Sequence, residues 1–137
     1  MPQTLQVRVE QTGPASAAGI VRTHRVPIDR PLESGGTDTG PLGGEYLLVA
    51  LGGCFMSNLL AAIRARESPG PSVSNVSVAL SAALEGHPNR VTAISMIVRA
   101  PGLESEMLEK LADIAGRACI VTNTLKRAVP ITLTCEV

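Results

Sequence analysis

The segment Glu45–Glu67 constrains the fold most, because its sequence, EYLLVALGGCFMSNLLAAIRARE, is apolar around nearly the whole helix circumference for most of its length. It predicts a helix that Pro69-Gly70 ends. A helix that is apolar all round must be buried on most of its faces. Gly52-Gly53 in its interior disfavours the helix by about 1 kcal/mol per glycine relative to alanine, so we expect another backbone to approach closely there.

The rest of the pattern predicts an α+β domain of order ββ-α-ββ-α-β that occupies residues 1–137 without repeats or linkers. Alternating apolar and polar residues predict the strands, and apolar residues at helical spacing predict the second helix. Pro27–Gly44 carries turn residues without periodicity, and a loop of this length is usually functional or disordered. The remaining predicted elements are the strands Thr4–Gln11, Gly19–Ile28, Val73–Leu84, Val91–Ala100 and Pro130–Val137, the helix Glu104–Ala118 and a short turn at Thr122–Arg127.

The composition excludes several classes of partner. The chain has no Trp, one Tyr and one Phe, so it lacks the aromatic platforms on which single-stranded nucleic acid stacks. Twelve basic and twelve acidic residues give no net charge to attract a polyanion or an anionic membrane. The N-terminus has no apolar signal core, and no run approaches the roughly 20 apolar residues that span a bilayer. We therefore expect a cytoplasmic protein with no nucleic-acid or membrane partner.

Cysteine is the remaining candidate for chemistry. The two histidines, His24 and His87, lie far apart in the sequence, and no cysteine pair has the spacing of a metal site, so we expect no metal and no bound cofactor. The glycine-rich run before the long helix lacks the Lys-Ser/Thr step of a phosphate-binding loop. Three cysteines are an odd number in a chain too long to need disulfide staples, which indicates thiols.

Each cysteine has a structural and a chemical interpretation. Cys54, in the long helix, is either one more small core residue or a nucleophile, because free cysteine is among the most buried residue types. Cys119 follows the second helix and is either a buried thiol or a thiolate that backbone N–H groups stabilise, with Thr122 or Asn123 capping the turn. Cys135 lies on the apolar face of the last predicted strand, where packing is its expected role.

Glu45 stands at the start of the long helix and is the only acid between Asp38 and Glu67. It either complements the helix dipole as an N-terminal carboxylate or is an acid held inside a site, where it would orient an arginine. The sequence pattern fits both roles.

Two segments resemble the OsmC/Ohr family of hydroperoxide-reducing proteins. The first, GGTDTGPLGGEYLLVALGGCFMSNL, has the family's glycine-rich loop with a Gly-Pro step, an acid, a Leu/Ala-rich helix and a small residue before cysteine. The second, ACIVTNTLKRAVPITL, is similar to the family's Cys-x-x-Ser-Asn signature followed by a strand, with Thr122 in place of the usual serine. The predicted order of elements matches the family's across the rest of the chain.

The resemblance implies an intertwined two-fold dimer in which the long helices pack centrally and each active site forms at the interface. It implies that Cys54 attacks an organic hydroperoxide and becomes a sulfenic acid, which Cys119 resolves as a disulfide. An external, lipoamide-like dithiol then restores the thiols. Arg22 and Arg25 are, by region, the candidates for the arginine that holds the thiolate, and Glu45 is the acid that would orient it.

Two other roles for the chain stay open. The same fold, without an arginine at the thiolate, fits a non-catalytic stress-related protein that binds a small apolar ligand in the dimer-interface cleft. A structural disulfide between Cys54 and Cys119 would close a loop of about 65 residues and stabilise the fold by about 4 kcal/mol, but it conflicts with a cytoplasmic location.

Overall fold

The structure is a computed structural model that describes residues 2–66 and 73–136. Contacts between residues divide the chain into two units, Met1–Leu47 and Leu48–Val137. The N-terminal unit holds three strands and a polar loop, and the C-terminal unit holds a hairpin and most of the helical residues. The α+β class predicted from the sequence is confirmed. The single domain over residues 1–137 stays a prediction.

The N-terminal sheet has one more strand than the sequence predicts. Its antiparallel strands, in spatial order, are β1 (Arg8–Gln11), β2 (Ala17–Val21) and β3 (His24–Ile28). The predicted strand Gly19–Ile28 is interrupted at Arg22, whose φ of 53° lies in the left-handed region, so that Val21 pairs with His24. Arginine rarely adopts that conformation, and the turn therefore leaves no signal in the sequence.

The loop after β3 is ordered around one buried carboxylate. Asp29 is 2% exposed. Its oxygens accept hydrogen bonds from three backbone N–H groups and two hydroxyls, which belong to Arg30, Thr37 and Thr39. Gly36 passes so close to this network that an added Cβ would lie 2.0 Å from the Arg30 carbonyl oxygen. The missing periodicity over residues 27–44 therefore reflects a turn network and not disorder.

The elements of the second half follow the predicted order as far as the second long helix. They are α1 (Gly43–Arg66), the antiparallel hairpin of β4 (Ser77–Glu85) and β5 (Arg90–Arg99), α2 (Ser105–Ala118) and a short α3 (Ile120–Leu125). Glu67 and Pro69-Gly70, at which the sequence predicts the end of α1, lie outside the described residues. α3 begins before the predicted turn, because the residue that caps it is Cys119.

α1 and α2 build the core of the C-terminal unit. α1 contributes a stripe along one side and α2 adds two residues and the cysteine that follows it; the buried set is Leu51, Phe55, Leu59, Ile63, Leu111, Ala115 and Cys119. Next to this stripe, a Cβ added to Gly52 would lie 2.7 Å from Leu80 Cδ1, whereas Gly53 has open space. The close neighbour that the glycine pair predicts is thus a side chain of β4 and not another backbone.

Much of α1 lies outside this core. Val49 is 60% exposed and Leu60 is 38% exposed, so the prediction that the helix is buried on most faces is wrong for the single chain. By length and composition α1 could also cross a membrane, which corrects the expectation that no run approaches such a length. Core helices of soluble proteins have the same composition, so this feature alone does not indicate a membrane.

The C-terminal segment 128–136 forms no helix or strand. Its apolar residues point away from any core, with Ile131 91% exposed and Leu133 89% exposed. The predicted strand Pro130–Val137 is therefore wrong over its described part, and so is packing as the role of Cys135, which is exposed. Alternation marks a segment that is suited to pairing, but a strand forms only where a neighbouring strand supplies the hydrogen bonds.

Candidate active site

Cys54 lies on α1 beside the core stripe and is half-buried. The side-chain amide of Asn58, one turn further along the helix, donates a hydrogen bond of 2.9 Å to the Cys54 carbonyl oxygen. The same amide nitrogen lies 3.9 Å from Cys54 Sγ, within the range of a hydrogen bond to sulfur. The Cys54 thiol is therefore packed on one side, open on the other, and faces one amide donor.

Cys119 is fully buried and connects α2 to α3. Its backbone is extended, with φ −74° and ψ 113°, so it ends α2 and forms the N-cap of α3. Its Sγ accepts a hydrogen bond of 3.4 Å from the backbone N–H of Thr122. Serine and asparagine oxygens usually take this position, and here a sulfur takes it. The prediction that Thr122 or Asn123 caps the turn is wrong in this detail, since the cysteine is itself the cap.

The surroundings of Cys119 favour its thiolate. Burial raises the pKa of the thiol, but hydrogen bonds lower it below its usual value. The polar groups that lower it are, in order of size, the Thr122 hydroxyl, the Thr122 N–H, the Cys54 side chain and the Val121 N–H. Cys54 packs against the buried cluster to which Cys119 belongs, so the two thiols are neighbours. Cys54, Cys119 and Cys135 are free cysteines, and the first two form a neighbouring pair in the C-terminal unit.

Glu45 lies in the first turn of α1, where its Oε1 accepts a hydrogen bond of 2.8 Å from the backbone N–H of Leu42. This contact satisfies one N–H group at the helix start and gives the exposed carboxylate the helix-end role that the sequence offered as one alternative. The other alternative, a carboxylate that orients an arginine, stays a prediction.

Both candidate arginines belong to the N-terminal unit, whereas both cysteines of the pair belong to the C-terminal unit. Arg22 occupies the turn between β2 and β3, and Arg25 lies on the edge strand β3 opposite Ile20. Both side chains are exposed, and neither forms an ion pair with any residue that the structure describes. A role for either arginine towards Cys54 stays a prediction.

Space for a ligand exists in an apolar groove of about 450 Å³ along α1 and β4. Aliphatic side chains and two glycines line it: Leu48, Val49, Gly52, Gly53, Met56, Val78 and Leu80. Such walls suit an apolar molecule or another apolar surface. Over residues 2–66 and 73–136, no group of three or more His, Cys, Asp or Glu side chains is arranged to hold a metal ion.

Sequence reasoning missed two of these polar residues. Asn58 follows Cys54 by four positions, and residues at that spacing face each other on a helix, so this contact could have been predicted. Asp29 instead collects donors from eight and ten positions away in a loop, a spacing that no local rule anticipates.

The family resemblance is confirmed by comparison with known proteins. Residues 36–134, which include both thiols of the pair, match the model of the OsmC-like protein family. The chain belongs to this family. Among curated proteins, none matches it.

Several solved structures share the fold over most of the chain. An OsmC-like protein from Mycoplasma pneumoniae is 16% identical with a TM-score of 0.74, over 92% of this chain and 89% of that chain. An organic hydroperoxide resistance protein OsmC from Legionella pneumophila is 16% identical with a TM-score of 0.66, over 89% and 90%. The organic hydroperoxide resistance protein OhrB of Bacillus subtilis is 13% identical with a TM-score of 0.60, over 87% and 89%. At these identities the likeness establishes the OsmC-like fold and no more.

Proposed function

We propose that this chain is a thiol peroxidase that reduces organic hydroperoxides through Cys54 and Cys119. The observation that carries the proposal is that two free thiols share one buried cluster of the same unit, with Cys54 half-buried at its edge and Cys119 fully buried within it. Membership of a family whose solved members include organic hydroperoxide resistance proteins supports this chemistry.

The difference in solvent exposure between the two cysteines indicates which one meets the hydroperoxide first. A hydroperoxide can reach the half-buried Cys54, whereas Cys119 has no exposed surface. The lowered pKa of Cys119 suits the second role, because it raises the share of the thiolate, which is the form that attacks a sulfenic acid. We therefore assign peroxide attack to Cys54 and resolution to Cys119.

The catalytic cycle consumes one hydroperoxide and one dithiol. The Cys54 thiolate attacks the outer peroxide oxygen, the O–O bond breaks, and the alkoxide takes a proton to become an alcohol. Cys54 is then a sulfenic acid, oxidised by two electrons. The Cys119 thiolate attacks the Cys54 sulfur, an S–S bond forms, the S–O bond breaks, and hydroxide takes a proton to become water.

An external dithiol of lipoamide type closes the cycle. One of its thiolates attacks the disulfide at the Cys54 sulfur and releases Cys119 as a thiolate. Its second thiol then attacks the resulting mixed disulfide, which frees Cys54 and leaves the reductant as a cyclic disulfide. The two electrons that reduced the peroxide thus come from the dithiol.

A homodimer forms part of this proposal, because one chain leaves much apolar surface uncovered. Besides the open faces of α1 and the C-terminal segment, the N-terminal residues Leu5, Val7 and Val9 are 90%, 63% and 62% exposed. Exposed apolar area on this scale is typical of a surface that a partner covers. We expect the second protomer to cover it and to complete each site, with Arg22 or Arg25 as the cation at the thiolate. A folded monomer in light scattering at micromolar concentration would contradict the dimer.

A reducing compartment is also part of the proposal. Free thiols persist in the cytoplasm, where disulfides are kept reduced, and three free cysteines are compatible with that location. We therefore propose a cytoplasmic protein whose α1 is covered by protein and not by lipid.

Mass spectrometry tests the function directly. The reduced full chain is treated with one equivalent of cumene hydroperoxide and digested without reductant. We expect a peptide pair linked by a Cys54–Cys119 disulfide and one equivalent of cumyl alcohol. Intact thiols at both positions, with the peroxide unconsumed, would overturn the proposal.

A second candidate function rests on the apolar groove along α1 and β4. Its aliphatic lining fits a non-catalytic member of the family that binds a small apolar ligand. This alternative predicts unchanged thiols after peroxide treatment together with saturable binding of a fluorescent apolar probe. Substituting Met56 with lysine, in the groove wall, would then abolish probe binding.

A further inference from the structure

Thr122 presents a buried polar atom without a partner. The oxygen of its hydroxyl is shielded from solvent and has no hydrogen bond of acceptable geometry with any residue that the structure describes. Buried hydroxyls are almost always paired, because burial without a partner forfeits the hydrogen bonds that water would give. A hydroxyl left in this state needs an explanation in terms of what the residue does.

The neighbour of this hydroxyl is the Cys119 sulfur. The backbone N–H of Thr122 already donates to Cys119 Sγ at 3.4 Å, which fixes the residue beside the sulfur. The Thr122 side chain is also the strongest of the influences that lower the pKa of the Cys119 thiol. Cys54 is the only titratable side chain among these influences, and no charged group of the described residues contributes.

The protonation state of the sulfur decides what the hydroxyl gains. A neutral thiol is a weak acceptor, so a hydroxyl beside it gains little from bonding to it, in keeping with the missing partner of the Thr122 hydroxyl. A thiolate is a charged acceptor and forms a stronger hydrogen bond with the same donor. Rotation of the Thr122 side chain about its Cα–Cβ bond re-aims the hydroxyl, so deprotonation of Cys119 offers this hydroxyl the partner that it lacks.

We propose that Thr122 is a positioning residue that stabilises Cys119 as a thiolate by donating its hydroxyl hydrogen to the sulfur. The consequence for turnover rests on the proposed function. With its charge stabilised, the Cys119 thiolate is ready to attack the Cys54 sulfenic acid, and it is the better leaving group when the dithiol later breaks the Cys54–Cys119 bond. Thr122 therefore directs the incoming reductant to the Cys54 sulfur.

A matched pair of variants tests the proposal. Thr122→Val keeps the shape of the side chain and removes the hydroxyl, whereas Thr122→Ser keeps the hydroxyl. Each is made in the full chain with Cys54→Ser and Cys135→Ser, so that Cys119 is the single thiol and its ultraviolet thiolate absorbance can be titrated. We expect Thr122→Val to lower the thiolate-to-thiol ratio about tenfold at a given pH, the effect of one charge-assisted hydrogen bond, and Thr122→Ser to restore it.

The same titration curve for the parent and for Thr122→Val would overturn the proposal. Circular dichroism checks that each variant is folded. If Thr122→Val does not fold, Thr122→Ala removes the hydroxyl without adding bulk and carries the same expectation.

The titration needs no peroxide, so it separates the two proposals. If Thr122→Val shifts the titration but the native chain consumes no hydroperoxide, the role of Thr122 stands and the proposed function is wrong. Peroxide turnover by the native chain with an unshifted titration would do the reverse. In the native background, Thr122→Val should also slow reduction of the Cys54–Cys119 disulfide by the dithiol, and Thr122→Ser should not.

Discussion

The loop around Asp29 and the thiol pair both bury a group that can carry negative charge, but they treat it differently. Asp29 receives five hydrogen bonds from its neighbours, so its carboxylate is fully solvated by the protein. The Cys119 sulfur accepts a backbone hydrogen bond of 3.4 Å from Thr122, whose hydroxyl has no partner among the described residues, and Cys54 lies next to it. A carboxylate whose hydrogen bonds are all formed holds its loop in one conformation. A thiol whose surroundings still contain an unused donor is stabilised further when it becomes a thiolate.

The largest expected effect is on peroxide consumption, when either cysteine of the pair is replaced. Cys54→Ser should abolish consumption of cumene hydroperoxide, because the attacking sulfur is gone. Cys119→Ser should permit one stoichiometric turnover and leave Cys54 as a sulfenic acid, which excess peroxide oxidises further. Peroxide consumption per chain and the mass of the Cys54 peptide measure both outcomes. The opposite pattern, with turnover lost only in Cys119→Ser, would exchange the roles of the two cysteines.

The next effect concerns the stability of the loop. Asp29→Ala should lower the thermal unfolding midpoint clearly, because three N–H groups and two hydroxyls lose their common acceptor. Glu33→Ala is the control, since it removes an exposed carboxylate from the same loop and leaves the hydrogen-bonded carboxylate of Asp29 in place. Equal midpoints for the two variants would mean that the network around Asp29 contributes no net stability.

Acidification should reveal the same network. The Thr39 hydroxyl first, then the N–H groups of Thr39 and Arg30 and the Thr37 hydroxyl, hold the pKa of Asp29 well below its usual range, although burial raises it. The stability from a lowered carboxyl pKa is fully present above the unfolded value of about 3.9 and is lost as the pH falls towards the folded value. Unfolding midpoints of the native chain should therefore fall more than those of Asp29→Asn between about pH 5 and pH 3. Parallel falls would contradict this.

The smallest expected effect is that of Cys135→Ala. An exposed side chain on an unpaired segment should change the free energy of unfolding by no more than about 0.5 kcal/mol, and peroxide turnover should be intact. A packed strand residue would instead cost about 1–2 kcal/mol. Denaturant unfolding distinguishes the two values, and the larger one would show that the C-terminal segment is covered in the assembled protein.

The sequence predicted the parts of the fold that depend on local pattern. The long helix, predicted over Glu45–Glu67 and found over Gly43–Arg66, and the hairpin of β4 and β5 follow from apolar patterning and turn residues. The turn at Arg22 was not predicted, because arginine is not a residue type that favours the positive φ found there. The strand over Pro130–Val137 was predicted from alternating apolar and polar residues. That pattern shows that a segment can pair in a sheet, but it does not show that a neighbouring strand is present.

The candidate site divides in the same way. Cys54 and Cys119 could be singled out because cysteine is the one strong nucleophile in the chain and because the flanking segments resemble a known family. The neighbouring positions of the two thiols depend on how α1 meets the junction of α2 and α3, and so does the Thr122 hydroxyl, which has no partner among the described residues. No spacing rule supplies that arrangement. The arginine candidates were chosen by region alone, and their role stays a prediction.

The close approach of Leu80 to Gly52 has a consequence for the evolution of this chain. A Cβ at position 52 would lie 2.7 Å from Leu80 Cδ1, so alanine fits there only if the Leu80 side chain shifts. A smaller side chain at position 80 would admit the added methyl group on the helix without that shift. Among homologues with this packing, we expect the residues at 52 and 80 to covary, with alanine at 52 accompanied by valine or alanine at 80.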